Sequence, residues 1–262
     1  MFTMAVGHSD DVDAHDAIHA AIDECRAQLG GRRPKAGLLF AGYEAFDRAV
    51  PGSVLHAFPG IALAGSTSYA EMSSAGGYTE DGLTLALFAS DEVDLSAGAA
   101  GHADTDLENA CRQVVDQAMN GADEPPRVGI MVADGLAAQS ALEAVSKLLP
   151  DDVVLVGGAS SGANLATIRP NFQFAKRQVV ENGIALLLFF GPLKFSVAVG
   201  TGLRPIGPTG VVTASAAGVI TEIDGRPASV FIEPPFRWLV RAARRREDRD
   251  HRRRIHGRRG SR

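Results

Sequence analysis

PKAGLLFA at residues 34–41 and PRVGIMVA at 126–133 are one phrase written twice, 92 residues apart. Each is a short continuous apolar run after a proline, and hydrophobicity that does not alternate marks a strand buried on both faces. The likeness spreads outward from there. IALAGSTSYAEM (61–72) matches VVLVGGASSGAN (153–164), with Gly65 and Gly157 again 92 apart. EDGLTLALF (80–88) matches ENGIALLLF (181–189) at a spacing of 101, which places nine additional residues between Gly157 and Glu181. Gly7-His8 corresponds to Gly101-His102, and FSVAVG (195–200) has the look of a third start. The chain therefore reads as a duplicated unit, about 1–92 and 93–194, followed by a further segment 195–230.

Each unit divides into elements. Ala14, Ala17, Ile18, Ala21, Ile22, Cys25 and Leu29 recur at helical spacing, as do Leu107, Ala110, Cys111, Val114, Val115, Ala118 and Met119. Both stretches predict amphipathic helices with their cysteines on the core stripe. Strands are expected at 37–41 and 128–133, second helices at 43–56 and 139–148, and strands again at 61–64 and 153–156. Serine-rich loops should follow these last strands. The turn dipeptides Asp81-Gly82 and Asn182-Gly183 then lead into strands at 83–88 and 184–190. The expected fold class is α/β: an internally duplicated unit of mixed β-sheet with covering helices.

Composition bounds the function. Of the 262 residues, 45% are hydrophobic and 22% charged, as in a globular protein. No apolar run approaches the roughly 20 residues of a membrane span, and the acidic N-terminus is unlike a signal peptide. With two cysteines, the expectation is a cytoplasmic protein with reduced thiols. The net charge of −5 conceals an asymmetry. Residues 1–236 carry −14, whereas RWLVRAARRREDRDHRRRIHGRRGSR (237–262) carries +9. Contact with nucleic acid, if there is any, belongs to that arginine-rich stretch.

Several motifs can be weighed on their chemistry. Gly158-Ala-Ser160-Ser-Gly162 fits the G-x-S-x-G of serine hydrolases, but no helical pattern follows and the later histidines sit in the arginine run. His15 and His19, four apart on the first helix, could share a metal ion; lying off the apolar stripe, with no third ligand fixed by spacing, they read as solvated. No phosphate-binding loop is present and no cofactor is expected. Asp134 ends the second central strand, so its carboxylate is either a ligand contact or the cap of the next helix. Arg204 lies in the glycine-rich GTGLRPIGP (200–208) and could clamp a carboxylate or form a surface ion pair.

GSTSYAEM (65–72), Asp81-Gly-Leu, GGAS (157–160), GTGLRPIGP (200–208) and IDGRPA (223–228) together resemble the FIST domain, a sensory domain of F-box and intracellular signal transduction proteins. The resemblance spans roughly residues 30–230. It implies a bacterial signalling protein that binds a small ligand, an amino acid or small carboxylate, and works with a signalling partner. Carried over residue by residue, it points to Gly65, Thr67, Ser68 and Glu71 in the first region and to Gly157, Gly158, Ser160 and Arg204 in the second. Ser66 stands where the family often has cysteine, and Ala70 where it often has glycine.

The arginine-rich stretch departs from that pattern. Residues 231–262 cannot bury apolar surface and are expected to be disordered, and a truncated or frameshifted gene would account for them. Two readings of the main body follow. One is a non-catalytic sensory module using the two strand-end regions together with Asp134. The other is an enzyme using Glu71, Asp134 and Arg204 for acid–base work on a small polar substrate.

Overall fold

Every residue of Ile184–Phe190 is buried, and alternate side chains of that strand enter different cores. Ile184, Leu186, Leu188 and Phe190 pack beneath helices, whereas Ala185, Leu187 and Phe189 pack against a second sheet. That is what a continuous apolar strand requires: a layer on each face. The computed structural model describes residues 1–43, 46–160, 171–200, 204–205, 207–216 and 219–232. They fall into two compact units, Met1–Phe195 and Ser196–Arg262.

The first unit runs β1 (Phe2–Ser9), α1 (Ala14–Leu29), β2 (Ala36–Gly42), α2 (Val50–Ala57), β3 (Ala62–Ser68), β4 (Ala70–Ser73), β5 (Gly77–Glu80) and β6 (Leu83–Ser90). It continues with β7 (Asp94–Ala100), α3 (Leu107–Met119), β8 (Pro126–Asp134), α4 (Ala138–Leu148), β9 (Val154–Ser160), β10 (Phe172–Ala175), β11 (Gln178–Glu181) and β12 (Ile184–Phe190). A mixed six-stranded sheet has the order β1-β6-β2-β3-β10-β11, and a mixed four-stranded sheet the order β7-β12-β8-β9. The duplication is plain in these orders. β1-β6-β2-β3 and β7-β12-β8-β9 are the same arrangement, each with one parallel pair, β2 with β3 and β8 with β9. The sheets pack face to face through Leu38, Ala64 and Phe88 of one and Val132, Leu187 and Phe189 of the other. Helices α1 and α2 cover the first sheet, and α3 and α4 the second.

Local chemistry sets the helix limits. Asp13 caps α1, its carboxylate accepting the N–H groups of His15 and Asp16 at 2.9 and 3.1 Å, and Gly30 ends it in the left-handed conformation. Asp106 caps α3 in the same way through the Asn109 N–H. Cys25 and Cys111 lie in the two helix–sheet cores, where burial pushes the Cys25 thiol up to about 12 and raises that of Cys111. Helix α2 is shorter than the expected 43–56 and begins at Val50, with a proline in its first turn.

The largest correction concerns the serine-rich stretches, which are strand rather than loop. Strand β3 continues through Gly65, Ser66, Thr67 and Ser68, and β9 continues through Gly157, Gly158 and Ser160. The small side chains are there because neighbouring backbone comes close. A Cβ on Gly65 would lie 1.9 Å from the Leu39 carbonyl oxygen and 2.7 Å from the Phe174 ring. Gly157 combines a φ of 151° with a Met131 carbonyl 1.7 Å from where a Cβ would stand, a place only glycine fills without strain. A second feature had no sequence signal. The hairpin β10–β11 of the second half joins the first half's sheet, pairing antiparallel with β3, and Phe174 fills the core beneath α1 and α2. The nine additional residues of the second half fall within 161–170, outside the described residues.

The second unit holds β13 (Val212–Ala216), β14 (Val219–Ile223), β15 (Arg226–Pro227) and α5 (Ala228–Ile232), the strands forming an antiparallel sheet. Asp224 and Gly225 both have positive φ, the two-residue turn that their dipeptide favours. The segment 195–200, read as a third start, forms no strand. Of the arginine-rich stretch 231–262, all but the last two residues of α5 lies outside the described residues.

Candidate functional site

Two equivalent hydrogen-bonded brackets close the ends of the parallel strand pairs. In the first half, Ser68 Oγ donates to Glu71 Oε1 at 2.6 Å and the Gly82 N–H donates to Glu71 Oε2 at 2.9 Å. In the second, Gln173 Nε2 donates to Ser160 Oγ at 2.5 Å and the Gly183 N–H donates to Gln173 Oε1 at 2.6 Å. The backbone repeats the pattern: the Gly42 N–H donates to the Gly82 carbonyl, and the Asp134 N–H to the Gly183 carbonyl. Asp81 and Asn182, just before those glycines, share a positive φ. Glu71 is 2% exposed and Gln173 fully buried. Burial pushes the Glu71 carboxyl above its ordinary range, the Ser68 and Gly82 bonds offsetting part of that and Asp81 adding to it.

The residues singled out by sequence divide by how much of their bonding capacity is taken. Thr67, fully buried, accepts the Phe172 N–H at 3.1 Å. Ser68 and Glu71 satisfy one another, which leaves the acid–base set of Glu71, Asp134 and Arg204 without a solvent-facing carboxylate at position 71. Arg204 is exposed and belongs to the second unit. Asp134 does not cap α4, whose cap position is Ala137; its Oδ2 instead accepts the Leu136 N–H at 3.1 Å. Its Oδ1 accepts Asn171 Nδ2 at 3.0 Å. Asn171 Oδ1 is buried and receives no hydrogen bond. Close by in sequence, Gly157 and Gly158 are exposed on β9, and a Cβ on Gly158 would meet nothing within 4 Å. The structure thus joins Thr67, Asp134 and Ser160 through three successive residues, Asn171, Phe172 and Gln173.

A model of the FIST N domain matches residues 5–226. The chain belongs to the FIST N domain family. Among curated proteins no match was found. FIST domains are sensory domains of signal transduction, and this FIST N domain has the mixed α/β fold expected of it. No helix among the described residues is long and apolar enough to cross a membrane.

Sequence reasoning missed Asn171 and Gln173. Counting back from the two turn dipeptides would have found the second: Glu71 precedes Gly82 by eleven residues, and Gln173 precedes Gly183 by ten. His8 is placed differently from its sequence neighbours. Its ring is enclosed by the hairpin β4–β5, with Nδ1 2.8 Å from Ser73 Oγ and 3.0 Å from Thr84 Oγ1, and Nε2 2.9 Å from Thr79 Oγ1.

Proposed function

We propose that this FIST N domain is a non-catalytic ligand-sensing module whose site is the strand end formed by Asp134, Ser160 and Asn171, and whose ligand is an amino acid. The observation that carries the reading is the buried Asn171 Oδ1, an acceptor without a donor, bonded through its own amide to the Asp134 carboxylate. Such an atom costs on the order of 1–3 kcal/mol until a donor reaches it, and an ammonium group supplies donors for both side chains. The exposed glycines of β9 leave room for a small molecule beside them. Binding would tie β8, β9 and β10 together, and β10 is paired with β3 of the other half. That linkage gives a route from ligand occupancy to the arrangement of the two sheets, which a signalling partner could read.

The test is a thermal-shift screen of the full chain against the amino acids. A ligand at 100 times its dissociation constant stabilises by about 2.7 kcal/mol, a clear rise in melting temperature. The expected hit disappears in Asn171→Ala and in Asp134→Asn. A hit that persists in both variants, or no hit at all, contradicts the assignment.

A further inference from the structure

Each half of the duplication carries a hairpin, but only one of the two is seated on a sheet. In β10–β11, Phe174 and Val179 are cross-strand partners, and both pack in the core beneath α1 and α2. Their counterparts in β4–β5 are Met72 and Tyr78, paired in the same register yet 79% and 61% exposed. The receiving strands differ in the complementary way. β10 sets Gln173, Phe174 and Ala175 opposite Ser66, Gly65 and Ala64 of β3, and Gly65 is buried against the Phe174 ring. The same positions on β9 are Gly158, Gly157 and Val156. Both glycines are exposed there, and among the described residues β9 pairs with β8 alone.

The other sheet edges are protected. On β1, Gln28 accepts the Val6 N–H at 3.0 Å and donates to the Val6 carbonyl at 2.6 Å, while Glu24 accepts the His8 N–H at 3.0 Å. On β7, Gln117 accepts the Ala99 N–H at 3.1 Å. β11 is four residues long and carries an ion pair, Glu181 with Arg48. β9 runs for seven residues, VLVGGAS, without the charge or proline that keeps an edge from pairing.

We propose that two copies of this chain pair reciprocally, the hairpin β4–β5 of each lying antiparallel along β9 of the other, as β10–β11 lies along β3 within one chain. The equivalence of the halves sets the register. Glu71, Met72 and Ser73 of one copy stand opposite Gly158 of the partner subunit, Gly157 of the partner subunit and Val156 of the partner subunit. Met72 then covers Gly157 as Phe174 covers Gly65, a flexible thioether filling the place of a ring. Main-chain hydrogen bonds along the edge hold the pair, and the burial of Met72 and Tyr78 adds to them. A two-fold axis makes both contacts together, so the assembly closes as a dimer. The hairpin docks as it stands, with Ser73 and Thr79 still bonded to His8 and Glu71 to Ser68 and Gly82. The pairing uses none of Asp134, Ser160 and Asn171, so it holds whether or not an amino acid binds there.

The test is sedimentation equilibrium of the full chain, without added amino acid, at micromolar concentration. The parent should run at twice the 27.5 kDa of one chain. Met72→Lys on the hairpin and Gly158→Lys on β9 each set a charge where the pairing would bury it, and each should weaken association by about tenfold or more. Both positions are exposed within one chain, so the far-UV circular dichroism should stay that of the parent. Val12→Lys, equally exposed but on neither strand, should dimerise as the parent does. Mixing the Met72→Lys and Gly158→Lys chains leaves one of the two contacts intact, and the mixture should associate more tightly than either variant alone. A parent that is monomeric throughout would overturn the proposal. So would a dimer indifferent to Met72→Lys, or a mixture no tighter than its components, the result expected if β9 pairs with β9 of the other copy.

Discussion

Glu71 and Gln173 occupy one position in the two halves of the duplication, yet they bond differently. A glutamine both donates and accepts, so Gln173 can donate to Ser160 Oγ and leave that hydroxyl to donate to the Ala133 carbonyl at 3.2 Å. A carboxylate only accepts, so Ser68 Oγ turns to Glu71 at 2.6 Å and the Ala41 carbonyl is left at 3.4 Å. The hairpins that carry the two residues differ as well. β10–β11 crosses to the other half's sheet, whereas β4–β5 pairs only with itself and closes over His8. The lesson is that duplication conserves the demand, two strand ends to be held beside a tight turn, and not the chemistry that meets it. The half with the insertion is also the half that presents an unpartnered acceptor.

The sharpest way to break this comparison is at the strand it treats as central. Gly65→Ala forces a Cβ into the Leu39 carbonyl and should destabilise by about 3 kcal/mol or prevent folding, read as the urea midpoint. Gln173→Ala comes next. It leaves the Gly183 N–H and Ser160 Oγ without their partner, at a cost of about 2 kcal/mol in the same measurement.

Much of this fold is legible in the chain. The core stripes of α1 and α3 place seven residues each at helical spacing, and the continuous apolar runs of β2, β8 and β12 demand a layer on both faces. The strand ends were not legible, because Gly-Ser-Thr-Ser has the composition of a loop. Only the closeness of Leu39 and Phe174 shows why a strand there must be small. The exchange of β10 between halves left no trace either, since pairing across more than a hundred residues is not a local pattern. Of the candidate site, Asp134 and Ser160 stand at the strand ends where the repeat put them. Asn171 depends on tertiary neighbours that spacing cannot supply.

A gentler perturbation exchanges the chemistries. Gln173→Glu buries a carboxylate beside Ser160 and should cost about 1–2 kcal/mol near neutral pH, much of it recovered on acidification as the new carboxyl takes up a proton. The smallest effect is expected at the edge. Gly158→Ser, where nothing lies within 4 Å, should change stability by no more than about 0.5 kcal/mol, although its counterpart Ser66 is buried between β2 and β10.

The measurement that bears most directly on the equivalence of the brackets is the urea stability of Glu71→Gln and of the parent across the acidic to neutral range. Burial raises the Glu71 carboxyl above the ordinary 4.5. The folded parent therefore holds that proton more tightly than the unfolded chain does. Its contribution is fully present at low pH and is lost as pH rises from 4.5 through the raised folded value. Glutamine has no such window and can bond as Gln173 does. The account predicts that Glu71→Gln matches or exceeds the parent near neutral pH and that its advantage shrinks on acidification. A variant as unstable as Glu71→Ala at every pH, with the parent's pH slope unaltered, would show that Glu71 is not the counterpart of Gln173.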